Sequence, residues 1–302
     1  MISVIVCTYN RAKYIYRCLS LLAKNDYDGK WELIVVNNSS TDNTAAECER
    51  FAADYPNAPY HYFIELHQGL SFARNRGMVE AKGDWFVFLD DDAFVRCDYL
   101  SNLAAHLSRG SFEAFGGRIE PLFEDGEPDW YSSWSRGFVS ALDMGDKELL
   151  FSGSKFPIGA NMGISRRAVE LCGTFNTQLG RTENKLLGGE EKDIFQRIMS
   201  SGMKVVYLPD ITVQHCIPAR RTTDEFIARL GEGVGVSERL RTQNIGTWCF
   251  VKRCVMEGVK WCGTLLIALY YALRLQWSKG RILIHFRRYV TRGLMTNTDL
   301  RD

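Results

Sequence analysis

Apolar and polar positions alternate in blocks along the first 120 residues. Ser3 to Cys7, Trp31 to Val36, Tyr60 to Leu66 and Trp85 to Leu89 are short runs rich in β-branched and aromatic residues, the length and make-up of buried strands. Helical patterns separate them. Ile15, Cys18, Leu19 and Leu22 recur at helical spacing after Asn10 as a candidate N-cap. Thr41 or Asp42 is placed to cap a helix through Phe51, and a helix over Ser71 to Ala81 stops at Lys82-Gly83. This order predicts an α/β fold with right-handed crossovers, a largely parallel sheet and helices on both faces. Such sheets bind ligands at the carboxyl ends of their strands. The polar ends Thr8-Tyr9-Asn10, Asn37-Asn38-Ser39 and Asp90-Asp91-Asp92 all fall at that edge.

The pattern changes after residue 120. Three prolines, several glycines and the aromatics Trp130, Tyr131, Trp134 and Phe138 mark a loop-rich insert over 120–160, either packed on the core or exposed as a ligand surface. Ala168 to Cys172 and Glu190 to Met199 read as helices, Gly202 as a helix C′ residue and Val205 to Leu208 as a strand. Further on, Trp261 to Leu273 is an uncharged run of thirteen residues, bounded by Lys260 and Arg274. That is short of the roughly 20 apolar residues of a membrane span. Aromatics (Trp248, Tyr270, Tyr271, Trp277) and cations (Lys279, Arg281, Arg287, Arg288, Arg292) surround it, the make-up of an interfacial helix on anionic lipid. Peripheral membrane contact through 248–292 is the expectation. The alternative is a helix buried in the core or in a homodimer interface.

Composition narrows the class. The chain has 302 residues, 46% of them hydrophobic, enough for one large core or two modest ones. The net charge of +1 argues against a nucleic-acid binder, yet from Val251 onward ten Lys/Arg stand against three Asp/Glu. Nine cysteines are an odd number and form no Cys-x-x-Cys pair, so neither a metal ribbon nor a disulfide framework is expected. A reducing cytosol is the simplest setting. Met1 leads straight into a strand-like run, and no signal peptide is expected.

The candidate chemistry centres on Asp90-Asp91-Asp92, which ends an apolar strand. Adjacent carboxylates repel one another, and a hard divalent cation relieves that repulsion. Mg²⁺ and Mn²⁺ favour carboxylate oxygens, and Mg²⁺ is often shared with substrate phosphates. The plain alternative is a helix N-cap with solvated neighbours. Arg74 suits a phosphate or a sugar because its fork presents parallel donors, unless it is an exposed helical charge.

Six blocks in order give the chain its resemblance to the family 2 inverting glycosyltransferases with the GT-A fold, over roughly residues 2–220. They are Val4 to Arg11, Val35 to Asp42, Gly69 to Gly77, Asp90-Asp91-Asp92, Gly159-Ala160-Asn161-Met162 and Gly188-Gly189-Glu190-Glu191, with His215 following after the next strand. The resemblance implies that Thr8, Tyr9, Asn10, Arg11, Asn37 and Asn38 hold the base and ribose of a nucleotide-sugar donor, with Arg74 at its phosphates or sugar. It puts the metal on Asp90 and Asp92, with His215 as a further ligand in place of a core histidine. Asp91 would reach the ribose or help hold the ion. Asn37 and Asn38 depart from the family's common acidic pattern; an amide still pairs with uracil, and guanine or thymine stays open. The general base falls on Glu191, with Glu190 or Asp193 as alternatives and helix-dipole stabilisation as the plain reading.

The combined expectation is a metal-dependent (Mn²⁺ or Mg²⁺) transferase of a hexose, from a nucleotide diphosphate sugar with UDP first, to a glycan or polyprenyl-linked acceptor in surface-polysaccharide synthesis. It would work in the cytoplasm at the inner face of the membrane. Residues 1–220 would form the catalytic domain, with a donor half (1–118) and an acceptor half (119–220), and 221–302 a helical extension. Two rivals are a sugar nucleotidyltransferase, for which Thr8 to Arg11 lacks a glycine-rich phosphate loop, and a non-catalytic glycan-binding or scaffold protein. No Gly-x-Gly-x-x-Gly follows a strand, which disfavours a dinucleotide oxidoreductase.

Overall fold

The computed structural model describes residues 1–153, 155–179 and 189–296, which form two compact units. Gly188, the first of the expected glycine pair, lies outside the described residues, as do 297–302. The first unit holds 1–122, 140–179 and 189–216, and the second holds Phe123–Val139 and 217–296.

In the first unit the chain runs β1 (Ile2–Thr8), α1 (Ala12–Ala23), β2 (Trp31–Asn37), α2 (Thr44–Asp54), β3 (Tyr60–Ile64), α3 (Leu70–Glu80), β4 (Trp85–Asp90), β5 (Ala93–Val95), α4 (Tyr99–Arg109) and β6 (Ala114–Phe123). There follow β7 (Leu149–Leu150), β8 (Asn161–Ser165), α5 (Arg166–Cys172), α6 (Glu190–Ser200) and β9 (Val205–Ile217). The sheet order is β3-β2-β1-β4-β8-β6-β9-β5. Its first four strands are parallel; β8 joins β4 antiparallel, and β6 with β8 and β5 and β7 with β9 pair antiparallel too.

Both faces of the parallel half are covered, which explains the unbroken apolar runs. Val4, Val6, Leu33, Val35, Val87 and Leu89 face the core shared with α1, α2 and α4. The alternate residues Ile5, Ile34, Val36, Phe86 and Phe88 face the core shared with α3, α5 and α6. α3 lies so close to β1 that a Cβ at Gly77 would overlap the Ile5 side chain.

Several local expectations change. Asn10 is not a helix cap: it sits in the left-handed region (φ 53°) and Arg11 takes the N-cap position of α1. Asn43 rather than Thr41 or Asp42 occupies the cap of α2, although an Asp42 carboxylate oxygen accepts from the Thr44 N–H. Gly202 does sit just past α6 with φ 82°, as its sequence position predicts.

The second unit is built on three helices, α7 (Asp224–Ile245), α8 (Thr247–Leu273) and α9 (Trp277–Met295). Trp130 and Phe138 of the aromatic insert are buried within this unit, and Phe138 packs on Phe286 of α9 at 4.3 Å between ring centroids. Trp134 alone of the four insert aromatics is exposed. No helix among the described residues is long and apolar enough to cross a membrane.

Candidate active site

Strand register brings the three polar ends together. Thr8 pairs with Asn37 across β1 and β2, and Cys7 pairs with Asp90 across β1 and β4. The loops beyond are tied to each other by side chains. The Asn10 side-chain Oδ1 accepts from the backbone N–H groups of Thr41 and Asp42, the Asn10 backbone N–H donates to the Ser40 hydroxyl, and the Arg11 backbone N–H donates to the Thr44 hydroxyl. Asn38 donates to the carbonyls of Glu65 and His67 and accepts from Gly69 N–H, fixing the entry to α3. The Asn37 amide donates to the Tyr62 hydroxyl and accepts from Ser40 N–H. Asn10, Asn37 and Asn38 therefore spend these groups on shaping the rim of the site. Tyr9 lies half-buried on the same rim.

The acidic end of β4 divides its work by burial. Asp90 is partly exposed, whereas Asp91 and Asp92 are buried. β5 follows at once and pairs with β9, setting Ala93 opposite His215. His215 Nε2 thereby comes 3.1 Å from Asp92 Oδ1, with both side chains almost fully enclosed. One ligand atom each from Asp90, Asp92 and His215 lies within 4.8 Å of the others. Buried carboxylates are costly unless compensated. Arg11 supplies part of the compensation, 3.5 Å from both Asp91 and Asp92. Burial pushes the Asp91 carboxyl well above the usual carboxylate range; Arg11 opposes the shift, while Asp92 and Asp90 add to it. Two carboxylates with one imidazole fit a divalent ion, and the imidazole suits Mn²⁺ better than Mg²⁺. Burial also pushes the neighbouring Cys7 thiol up to about 12.

A second cluster adjoins the first through Arg74. This buried arginine on α3 pairs with Glu190 Oε1 at 3.2 Å and Glu191 Oε1 at 3.1 Å, and its guanidinium stands 4.0 Å from Asp90. Burial alone would lower its pKa, and Glu191, Glu190 and Asp90 together raise it instead. The sequence suggests a phosphate or sugar ligand here, or an exposed helical charge; the structure buries Arg74 and sets three carboxylates around it. Glu191 also accepts from the Gly159 N–H at 2.9 Å. A Cβ at Gly159 would overlap both Arg74 and Glu191, so the approach needs glycine. Glu190 is more enclosed, and its Oε2 is buried with no hydrogen-bond partner among the described residues. Asp193, the third acid of the same turn, is held by Arg197 at 2.8 Å. Asn161, from the Gly159 block, is fully buried and bonded to Tyr99, Arg118 and Ile211, a structural part. The sequence reading missed the contact of Gly159 with Glu191 and the placement of Arg11 beside Asp91 and Asp92. The glycine was visible in the sequence, but its partner lies 32 residues away.

A parallel half-sheet covered on both faces, an acidic cluster at its carboxyl edge and an acidic helix start beside it are the parts of a GT-A glycosyltransferase. Residues 3–172 match the family described as Glycosyl transferase family 2, and the chain belongs to that family. It is 27% identical over 220 residues to the glycosyltransferase AglE of Haloferax volcanii, an alignment covering 72% of this chain and 67% of AglE. It is also 27% identical over 226 residues to the succinoglycan biosynthesis protein ExoM of Rhizobium meliloti, covering 74% and 69%. Among solved structures it resembles the mannosyltransferase PcManGT from Pyrobaculum calidifontis, determined in complex with GDP-Man and Mn²⁺. The TM-score is 0.65 at 19% identity, over 97% of this chain and 87% of that one. The fold is thus GT-A, and the chain is a glycosyltransferase.

Proposed function

We propose that the chain is an inverting, metal-dependent transferase moving a hexose from a nucleotide diphosphate sugar to a glycan or polyprenyl-linked acceptor, in the assembly of a cell-surface polysaccharide. One observation carries the reading: Arg74 joins Asp90, of the ion-binding cluster, to Glu190 and Glu191 at the start of α6. Donor activation and acceptor deprotonation would then sit side by side. Likeness to ExoM, a succinoglycan biosynthesis protein, favours the polysaccharide setting. Work would be shared between a donor half (1–118) and an acceptor half (119–220), with 221–302 as an extension at the cytoplasmic face of a membrane.

Asp90, Asp92 and His215 are the residues that would hold Mn²⁺ or Mg²⁺. The ion supplies neutralisation of the charge that grows on the departing diphosphate. Arg11 adds a fixed positive charge at the same edge. Thr8 and Tyr9 would line the nucleoside, while Asn10, Asn37 and Asn38 hold the loops in register for it. Asp91 would stay beneath the ribose. Glu191 would take the proton from the attacking acceptor hydroxyl as the bond forms on the face opposite the diphosphate. Arg74 and Gly159 orient that carboxylate; Glu190 is the second candidate.

The donor base is the open choice. Uridine is the first arm of the test and guanosine the second, because PcManGT holds GDP-Man. A panel of nucleotide diphosphate sugars with Mn²⁺ or Mg²⁺, read as nucleotide released, should single out one donor. Asp92→Ala should cut that release about 100- to 1,000-fold with the circular dichroism of the parent. Near-parental turnover of Asp92→Ala in metal would sink the proposal.

A further inference from the structure

The helix α8 is inside out. Its enclosed side carries charge: Arg253 pairs with Glu257 at 2.7 Å and with Glu238 of α7 at 3.0 Å, and Arg287 of α9 reaches Glu257 at 3.0 Å. Trp261 donates to Thr291 and Arg287 to Thr264 on the same side. Its outward side is apolar. Trp248, Val255, Val259, Leu266, Leu269 and Leu273 follow one another along the helix, and they are 83%, 63%, 58%, 68%, 56% and 79% exposed. The helix has 27 residues, so this face runs for about 40 Å. Exposed neighbours such as Val255-Met256, Leu265-Leu266 and Leu269-Tyr270 widen it to about half the circumference, beyond a two-in-seven coiled-coil seam. A contiguous apolar surface of this size marks an interaction site.

Charge says what covers it. Glu257 is the only acidic residue of α8, and it is buried. Lys252, Lys260 and Arg274 stand exposed beside the apolar face. A two-fold contact sets a surface against itself, and two copies of this one would bring cations together with no acid between them. An anionic bilayer surface meets the same pattern with attraction, and Trp248, Tyr270 and Trp277 are placed as interfacial aromatics near the helix ends. The charged inner side and the cations in the first half of α8 exclude a span.

We propose that α8 lies in the plane of an anionic phospholipid surface, its apolar face immersed and its Arg253–Glu257 side turned to α7 and α9. This sharpens the membrane contact of the proposed function and rests on that reading for its biological setting. It also narrows the segment, since Arg281, Arg287 and Arg292 of α9 are engaged by Asp224, Glu257 and Glu232.

The test uses the full chain and vesicles, with no donor or acceptor. It should sediment with phosphatidylcholine vesicles containing phosphatidylglycerol at low salt, bind less to phosphatidylcholine alone, and be partly released by salt. The double variant Leu266→Glu/Leu269→Glu should lower the bound fraction about tenfold or more, with unchanged circular dichroism and unchanged metal-dependent donor hydrolysis. Three results would overturn the proposal: a parent that ignores anionic vesicles, a variant that binds like the parent, or a parental dimer in light scattering that the variant dissolves. Donor hydrolysis is read separately, so failure of the transferase reading leaves this outcome legible.

Discussion

At the residue scale, Glu190 and Glu191 divide a single arginine between them but differ in surroundings. Glu191 is the more accessible and has a backbone donor from Gly159, while Glu190 is enclosed, with one oxygen that has no hydrogen bond among the described residues. A base must reach solvent-borne acceptor and keep its orientation, which favours Glu191. Glu191→Gln should lower transfer at least about 100-fold while keeping donor binding, measured by calorimetry beside single-turnover kinetics. If Glu190→Gln is dead and Glu191→Gln active, the assignment moves one residue. The acids themselves were plain in the sequence, as were the three aspartates and His215. What Arg74 touches was not, because its partners come from segments 16, 116 and 117 residues away, and side-chain pairing over such distances depends on helix placement.

At the element scale, strands β5 and β9 show how little sequence pattern a functional pairing needs. β5 has three residues, too few for any periodicity, yet its antiparallel register sets His215 beside Asp92. The asparagines of the loops after β1 and β2 staple loop to loop, since an amide offers both donor and acceptor to nearby backbone. In the second unit, α7 and α9 meet backbone to backbone. A Cβ at Gly235 would overlap Val290 O and Leu294 N, and one at Gly293 would overlap Glu232 O. Gly235→Leu should destabilise this helical unit by about 1–3 kcal/mol or more, seen as an earlier transition in urea unfolding followed by helix signal. Gly258→Ala on α8, where nothing lies within 4 Å, should leave the transition in place or raise it slightly.

At the scale of the whole molecule, a ligand held by the first unit's loops and strand ends would bring them into one equilibrium. Mn²⁺ with the matching nucleoside diphosphate should raise the melting temperature, and His215→Ala should abolish most of the metal-dependent part of that rise. No rise with any nucleoside diphosphate would argue for a binding or scaffold role. Strand-helix alternation, with apolar runs too continuous for a one-sided sheet, was enough by itself to determine the class of fold and the edge on which the candidate site residues gather. Residue type determined the candidate acids, because hard-ion and proton-transfer chemistry draws on few side chains. Only the tertiary structure decided that the sheet turns antiparallel beyond β4, that the insert's Trp130 and Phe138 are core, and that α8 presents its apolar side outward. Each of those depends on contacts between segments far apart in the chain, and an amphipathic pattern looks the same whichever of its faces the fold encloses.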